Sequence, residues 1–424
     1  MVKFLRWVLK KLSQLMVWRF RPGVIGITGS VGKTSTKLAI KAVLEKDRKV
    51  RASAGNLNND LGMPLTILGD WSEAELKLVS RDTPPGTKLF RKFSFWLKVI
   101  FSSFLRAFFA SRNSYPEILI LEYGADRPGD VKYLLSIARP NLSVITAVGD
   151  IPVHVEFFGG PDELAREKLR LVGYLPAASF AVLNYDDETV YNFKERTRAH
   201  VMTFGFGSGA EVQITHTENR REGDKPLGVS FRLEYGGRSV PVKLENVFGK
   251  AQAYAAAAAA CVGIIFSLNL VKISENLKNY KPAGSRMQLL PGVKYTYIID
   301  DSYNASPLSM HAALDTLRDL PGKRKIAVLG DMLEIGKYAV EAHERVGRLA
   351  AKIADILVTV GPRAKFIAEA AKDEGLKRKD IFMFDTAEEA SRPVQDLIKK
   401  GDLVLVKGSH AMELNKVVME IKAV

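Results

Sequence analysis

Lys33 and Thr34 end a glycine loop, Gly26-Ile27-Thr28-Gly29-Ser30-Val31-Gly32-Lys33-Thr34, that follows an apolar run from Gly23 and leads into a helical pattern. Gly29-Ser30-Val31-Gly32-Lys33-Thr34 carries the Gly-Lys-Thr end of the GxxxxGK[ST] pattern, with Gly26 one residue further upstream than that spacing asks, and its glycines let backbone N–H groups of residues such as Gly29, Ser30 and Gly32 point at phosphate oxygens. The lysine then reaches the terminal phosphates and the Thr34 hydroxyl sits on Mg²⁺, with Ser35 beside it in the first turn. A chance strand-to-helix turn rich in glycine is the alternative, but the strand and the helix fall on the correct sides of the loop. The expected chemistry is that of a nucleoside triphosphate held by magnesium.

The elements that must position this loop read as alternating strands and helices. Residues 49–54 suggest a short strand, Pro116–Glu122 a buried strand ending in a carboxylate, and 140–148 and 179–184 two more. Such alternation predicts a mostly parallel sheet covered on both faces, with functional groups at the strands' C-terminal ends. Residues 207–247 alternate polar and apolar between glycine turns and predict a small antiparallel appendage. An alanine-rich helix from Ala251 to Leu268 follows, then a hinge at Lys281-Pro282-Ala283-Gly284. Apolar runs at 297–301, 325–330, 356–361 and 403–407 predict a second, Rossmann-like α/β domain. The expected organisation is an N-terminal segment 1–22, a central P-loop domain 23–284 with an insertion at about 83–116, and a C-terminal domain 285–424.

The chain has 424 residues, a formal net charge of +15 and one cysteine. Cys261 cannot form an internal disulfide, and its place beyond the alanine run predicts a core thiol in a reducing cytosol. The charge is concentrated. Residues 1–22 and 83–116 each hold six Lys or Arg and no acid, which is twelve of the fifteen net charges. This argues against a nucleic-acid enzyme, whose basic surface would follow a binding groove. On a helical wheel Leu5, Leu9, Leu12, Met16 and Phe20 share one face of the first segment, roughly opposite Lys3, Arg6, Lys10 and Arg21. That pattern predicts a helix lying in a membrane interface. The second segment holds seven phenylalanines and Trp96 between Leu89 and Phe109, but Lys98 and Arg106 interrupt it, and no stretch is long enough to span a bilayer. A helix pair packed on the domain and a dimer interface are the alternatives. The expected location is the cytoplasm, peripheral at the inner face of the plasma membrane.

Further segments join the glycine loop: Gly55-Asn56-Leu57-Asn58-Asn59-Asp60-Leu61-Gly62-Met63-Pro64-Leu65-Thr66, Glu122-Tyr123-Gly124-Ala125, His154 with Lys168, Asp300-Asp301-Ser302-Tyr303-Asn304-Ala305-Ser306-Pro307, Leu329 to Gly336, and Lys407-Gly408-Ser409. In this order they resemble the Mur ligases from about residue 23 to the C-terminus. The Asn56–Thr66 and Asp300–Pro307 segments resemble the branch that adds D-alanyl-D-alanine to UDP-N-acetylmuramoyl-tripeptide, rather than the folylpolyglutamate synthetases. The resemblance implies an ATP-dependent amide ligase with an acyl-phosphate intermediate. It implies that Thr34, Glu122, His154 and a carbamylated Lys168 bind magnesium, so that Lys33, Lys168, His154 and Glu122 are the catalytic set. It further implies that Gln252, Arg286 and Asp301 contact the nucleotide. Asn56, Asn58, Asn59, Tyr303, Asn304, Lys407 and Ser409 would contact the peptide substrates.

Three departures stand out. Only 22 residues precede the first strand, where this branch carries a uridine-binding domain. Gly249-Lys250-Ala251-Gln252-Ala253-Tyr254-Ala255 replaces a Gly-x-His-Asn-x-x-Asn pattern, and Lys168-Leu169-Arg170 replaces Lys-Gly-Glu. These motivate two alternatives: a related ligase acting on a membrane-linked muropeptide, and a non-catalytic nucleotide-binding scaffold.

Overall fold

Runs of Ile, Leu and Val bounded by helices pair side by side, because both faces of each run are apolar and need cover. The computed structural model describes residues 2–53, 55–79, 89–223 and 225–423. In the first half, β1 (Gly23–Thr28), β2 (Val50–Ala52), β3 (Ile118–Glu122), β4 (Leu142–Ile145), β5 (Phe180–Asn184), β6 (His200–Gly205), β7 (Val212–Glu222), β8 (Lys225–Tyr235) and β9 (Arg238–Glu245) form one sheet. Its order is β2-β3-β1-β4-β5-β6-β7-β8-β9. Strands β2 to β7 pair in parallel, and β7, β8 and β9 form an antiparallel meander. The region 207–247 is therefore no separate appendage. Its hydrogen bonds continue the ladder of β6 and lengthen the same sheet.

Side chains alternate across this sheet as the pleat requires. Ile25, Ile27, Ile118 and Ile120 face the helices Lys33–Leu44 and Lys250–Ile265, whereas Val24, Leu119 and Leu121 face the opposite layer. The alanine run lies inside: Ala255 to Ala260 are buried against the sheet, and a Cβ on Gly263 would come within 2.9 Å of Val43. Small side chains let this helix approach the helix after the glycine loop. Cys261 is a buried free thiol in this layer.

The second sheet comprises β10 (Gln288–Gly292), β11 (Thr296–Asp301), β12 (Lys325–Gly330), β13 (Ile356–Val360), β14 (Ile381–Phe384) and β15 (Leu403–Lys407), in the order β10-β11-β15-β12-β13-β14. Only β10 is antiparallel. Both sheets match the α/β class expected from the alternation of elements.

One expectation fails on the N-terminal segment. The helix Val2–Phe20 turns the Leu9, Met16 and Phe20 face inward, where it joins Met63, Leu65, Phe95 and Val99 in the core. The apolar stripe read as lipid-facing is satisfied by protein, because the helices Gly62–Leu68 and Leu89–Phe109 supply the matching surface. Removing residues 1–22 would uncover core rather than detach an independent anchor. Of the basic insertion, residues 83–88 lie outside the described residues, as does Ala54 of the strand expected at 49–54. No described helix is long and apolar enough to cross a membrane.

Candidate active site

The glycine loop leaves β1 where the sheet reverses direction of growth, with β3 on one side and β4 on the other. This is the switch point at which open α/β sheets bind ligands. Gly29 has φ +145°, and a Cβ there would lie 2.1 Å from Thr146 Oγ1 and 2.9 Å from the Ala147 carbonyl. Gly32, at φ +89°, precedes the helix Lys33–Leu44. Ser30 N donates to the Ala147 carbonyl at 2.6 Å, and Ser30 Oγ is buried without a hydrogen-bond partner among the described residues. Lys33 Nζ donates to the Gly29 carbonyl at 2.6 Å, folded back over its own loop. Burial holds its pKa below the ordinary lysine value against the opposing charge of Glu122, and the Arg286 charge adds to the lowering. Gly29→Ala is expected to weaken nucleotide binding at least tenfold, because the backbone cannot keep its path with a methyl group on Thr146; fluorescent-nucleotide titration measures this.

Beneath the loop, Glu122 ends β3 and is fully buried. Its Oε2 accepts from the Thr34 hydroxyl at 3.4 Å. Its Oε1 lies 2.8 Å from Lys37 Nζ, and both side chains have zero exposure. The ammonium also donates to Ser53 Oγ at 2.8 Å and the Gly55 carbonyl at 2.6 Å. Burial pushes the Glu122 carboxyl upward, but Lys37, Lys33 and Arg286 together outweigh it and hold the pKa below the usual carboxylate value. Lys37 was absent from the residues singled out by sequence. Its signal was its position three residues after Thr34, on the same helical face.

Magnesium prefers oxygen ligands and is commonly held by one or two carboxylates together with phosphate oxygens and water. Glu122 Oε1 is in ionic contact but has no aligned hydrogen bond, so it retains acceptor capacity next to the Thr34 hydroxyl. These two residues fit such a site. Among the described residues no group of three or more His, Cys, Asp and Glu forms a self-contained metal cage.

Lys168 lies on the helix Pro161–Gly173 and is 2 % exposed. Burial, reinforced by the Lys33 charge and opposed by Asp126 and Glu167, pushes its pKa down to about 7. Its neighbour Glu167 accepts from the backbone of Gly129 and Val131 at 3.1 and 3.0 Å, and Arg170 Nε donates to it at 2.7 Å. Arg170, a departure from the family pattern, thus ties down a buried carboxylate and leaves Lys168 on the inner face. His154 holds a left-handed backbone conformation at φ 74°. Its Nε2 is 3.4 Å from Asp126 Oδ1, and its Nδ1 is 2.6 Å from Glu334 Oε2 of the C-terminal half. In this arrangement His154 links the two halves. Asp126 and Glu334 are further members to which the sequence assigned no role: Asp126 directly follows the Glu122–Ala125 segment, and Glu334 lies within Leu329–Gly336.

In the second sheet, parallel pairing sets Asp301 directly beside Lys407. Lys407 Nζ lies 2.5 Å from Asp301 Oδ2 and donates to the Asn304 carbonyl at 2.9 Å. Burial raises the Asp301 pKa despite that partner. Arg286, just after the hinge, stacks its guanidinium 4.1 Å from the Tyr303 ring centroid. Its charge also bears on Lys33 and Glu122, so the hinge carries a cation to the glycine loop. Asn304 Oδ1 accepts from Ala305 N at 2.9 Å. Ser409 Oγ accepts from Leu333 N at 2.9 Å and holds the loop that bears Glu334. Asp331, in that loop, is spent on the Arg363 and Ala364 N–H groups.

Several expected contact residues make internal contacts here. Gln252 accepts from the Tyr280 hydroxyl at 2.7 Å and donates to the Arg286 carbonyl at 3.4 Å, bracing the hinge. Asn59 Oδ1 accepts from Leu61 and Gly62 N–H groups at 3.2 and 2.8 Å. The Asn58 carbonyl accepts from Gly124 N at 2.9 Å, bringing the 56–59 loop against the end of β3, and Asn56 is exposed. Ser35 is buried in the first helical turn.

Comparison with known proteins matches residues 27–76 and 103–263 to the Mur ligase middle domain, and residues 285–410 to the Mur ligase glutamate ligase domain. The UDP-N-acetylmuramoyl-tripeptide--D-alanyl-D-alanine ligase of Bacillus subtilis is 28% identical over 97% of this chain and 79% of its own length. The protein of that name from Mycobacterium tuberculosis is 30% identical over 93% of this chain and 72% of its own. Among solved structures, MurF from Acinetobacter baumannii aligns with a TM-score of 0.77 at 26% identity over 98% of this chain and 80% of its own. MurF from Thermotoga maritima in complex with ADP gives 0.76 at 25%, over 98% and 83%. With the glycine loop, the buried carboxylate and the hinged second sheet all in place, these matches establish that the chain belongs to the Mur ligase family.

Proposed function

We propose that this chain is an ATP-dependent, ADP-forming ligase of peptidoglycan precursor synthesis that joins D-alanyl-D-alanine to UDP-N-acetylmuramoyl-tripeptide. The observation that carries the reading is Glu122, a wholly buried carboxylate beside Thr34 beneath a phosphate-binding loop. Beyond its pairing with Lys37, its Oε1 retains acceptor capacity beside the Thr34 hydroxyl, which suits an oxygen-seeking cation on a bound triphosphate.

The acceptor peptide's carboxylate oxygen attacks the γ-phosphorus, the bond to the β,γ-bridging oxygen breaks, and ADP leaves. The dipeptide amine then attacks the acyl carbon, and the amide forms as phosphate and a proton depart. Such chemistry rests on alignment and charge neutralisation more than on a protein nucleophile. The loop N–H groups grip the phosphates, and Lys33 swings from the Gly29 carbonyl to the terminal phosphates. Arg286 adds positive charge from the hinge as the halves close. Thr34 and Glu122 would hold Mg²⁺, which neutralises phosphate charge when bound. His154 keeps the two halves in register through Asp126 and Glu334, and releases that pair if it ligates a second ion. Asn56, Asn58 and Asn59, with Tyr303, Asn304 and Ser409, form the margins at which the two peptide substrates enter.

Lys168 favours carbamylation. A buried amine with a pKa of about 7 is substantially neutral at physiological pH. Its nitrogen adds to carbon dioxide and loses a proton, converting a cation to an anion near Lys33. The reaction takes place in the cytoplasm, with the protein in peripheral contact with the inner face of the plasma membrane.

The test is ADP release by the purified chain with ATP, magnesium, D-alanyl-D-alanine and the nucleotide tripeptide. Release should require both the tripeptide and the dipeptide, and Lys33→Ala should lower it by about 10²–10³-fold. ADP release indifferent to either peptide would refute the assignment.

A further inference from the structure

The helix Leu89–Phe109 is built with its large side chains pointing the wrong way for a packed helix. The residues it turns inward are Phe95, Val99, Ser103 and Ala107. At about 100° per residue, Phe90, Leu97, Phe101, Phe104 and Phe108 fall roughly opposite that buried stripe. All five are exposed, Phe90 to 83% and Phe101 to 66%. The adjoining helix Val2–Phe20 adds Phe4, Trp7 and Trp18, which stand out while its Leu9–Met16 face is buried. Arg19 ties the two helices by donating to the Phe108 and Ala110 carbonyls.

These two helices expose basic residues as well as rings, with Lys11 one turn from Trp7 on the same face. Neither residues 1–22 nor 89–116 contain an acid, and Lys3, Lys11, Arg21, Arg91 and Arg112 belong to these segments. Arg6 and Lys98 are paired with Asp60 and Glu75, whereas the exposed rings and the exposed Lys3, Lys11, Arg21, Arg91 and Arg112 complement an anionic lipid surface, where rings enter the headgroup boundary and lysine and arginine meet phosphate. Because no described helix can span a bilayer, the helices would lie in its plane.

We infer that the Phe90–Phe108 stripe, with Trp7 and Trp18, docks this protein on an anionic phospholipid surface. The inference rests on the peripheral-membrane part of the proposed function and replaces the face that the sequence pattern suggested. It also bears on the substrate. Arg6 on the first helix pairs with Asp60 at 2.7 Å, directly after the Asn56–Asn59 loop. Docking by these helices therefore holds the acceptor loop close to the lipid.

The experiment is co-sedimentation of the full chain with vesicles of equal parts phosphatidylglycerol and phosphatidylcholine, and with vesicles of phosphatidylcholine alone. The wild type should bind the anionic vesicles at least tenfold more tightly than the neutral ones. The triple variant Phe90→Glu, Leu97→Glu, Phe101→Glu should lose at least tenfold of that binding while turning over soluble substrates at the wild-type rate. Equal sedimentation of variant and wild type overturns the inference, as does a wild type that ignores the anionic vesicles. A wild type that forms dimers broken by the triple substitution and does not bind vesicles assigns the face to a second copy instead. Vesicle binding without peptide-dependent ADP release would refute the ligase assignment and leave the docking face standing.

Discussion

Glu122→Ala is expected to eliminate peptide-dependent ADP release and to lower folding stability by about 3–5 kcal/mol, the usual cost of stranding one charge of a buried pair. The stranded charge is Lys37, which has no solvent to turn to. Ser53 and Gly55 still accept from it, so the loss should fall toward the lower end of that range. Adding Lys37→Met to Glu122→Ala removes the orphaned ammonium and should recover most of the stability without restoring turnover. Urea unfolding and the ADP assay read the two effects separately. Equal midpoints for wild type and Glu122→Ala would show that the pair contributes nothing to the fold. Retained turnover in Glu122→Ala would remove that carboxylate from the magnesium site.

The second large effect concerns Lys168. Lys168→Ala is expected to reduce turnover by about 10²–10³-fold, comparable to removing a preorganised electrostatic group. If the working form is the carbamate, the vacated space accepts a small carboxylate, and added formate or acetate should restore part of the rate. A plain structural lysine would show no such rescue. The pKa makes an independent prediction for the metal-free, unmodified protein. With a folded value near 7 against an ordinary 10.5, the unfolded chain binds more protons between those limits. Stability from this group therefore rises with pH across that window, by at most about 1.4 kcal/mol per unit, and the penalty is complete below about 7. Lys168→Met should flatten that part of the profile. A profile unchanged by the substitution would mean that Lys168 is hydrated.

The glycine loop was legible because its function is local: a short spacing, a strand before and a helix after are all contained within sixteen residues. Glu122 was legible for a related reason, since a carboxylate ending an apolar run stands out wherever the run becomes a strand. Lys37 was not, because a lysine one turn into an amphipathic helix looks like any solvated lysine until β3 lies alongside it. The same holds for Glu334, which reaches His154 only when the two halves meet. Gln252 and Lys407 were singled out for ligands, and in this arrangement their polar atoms brace the hinge and the second sheet. Their side chains carry no local mark of which partner they take.

The amphipathic segments divide most clearly. Composition alone established that residues 1–22 and 83–116 are basic, apolar and free of acid, and motif order alone established the ligase family resemblance, since both are properties of residues near one another in the chain. Which apolar face each helix buries was decided only by the tertiary structure. Two stripes on one helix compete for the same core, and Leu9 and Met16 won the inner position because Met63, Leu65 and Val99 were placed to receive them. That outcome left Trp7, Trp18 and the Phe90–Phe108 stripe to the outside, and burial, being a relation between distant segments, has no signature in either one by itself.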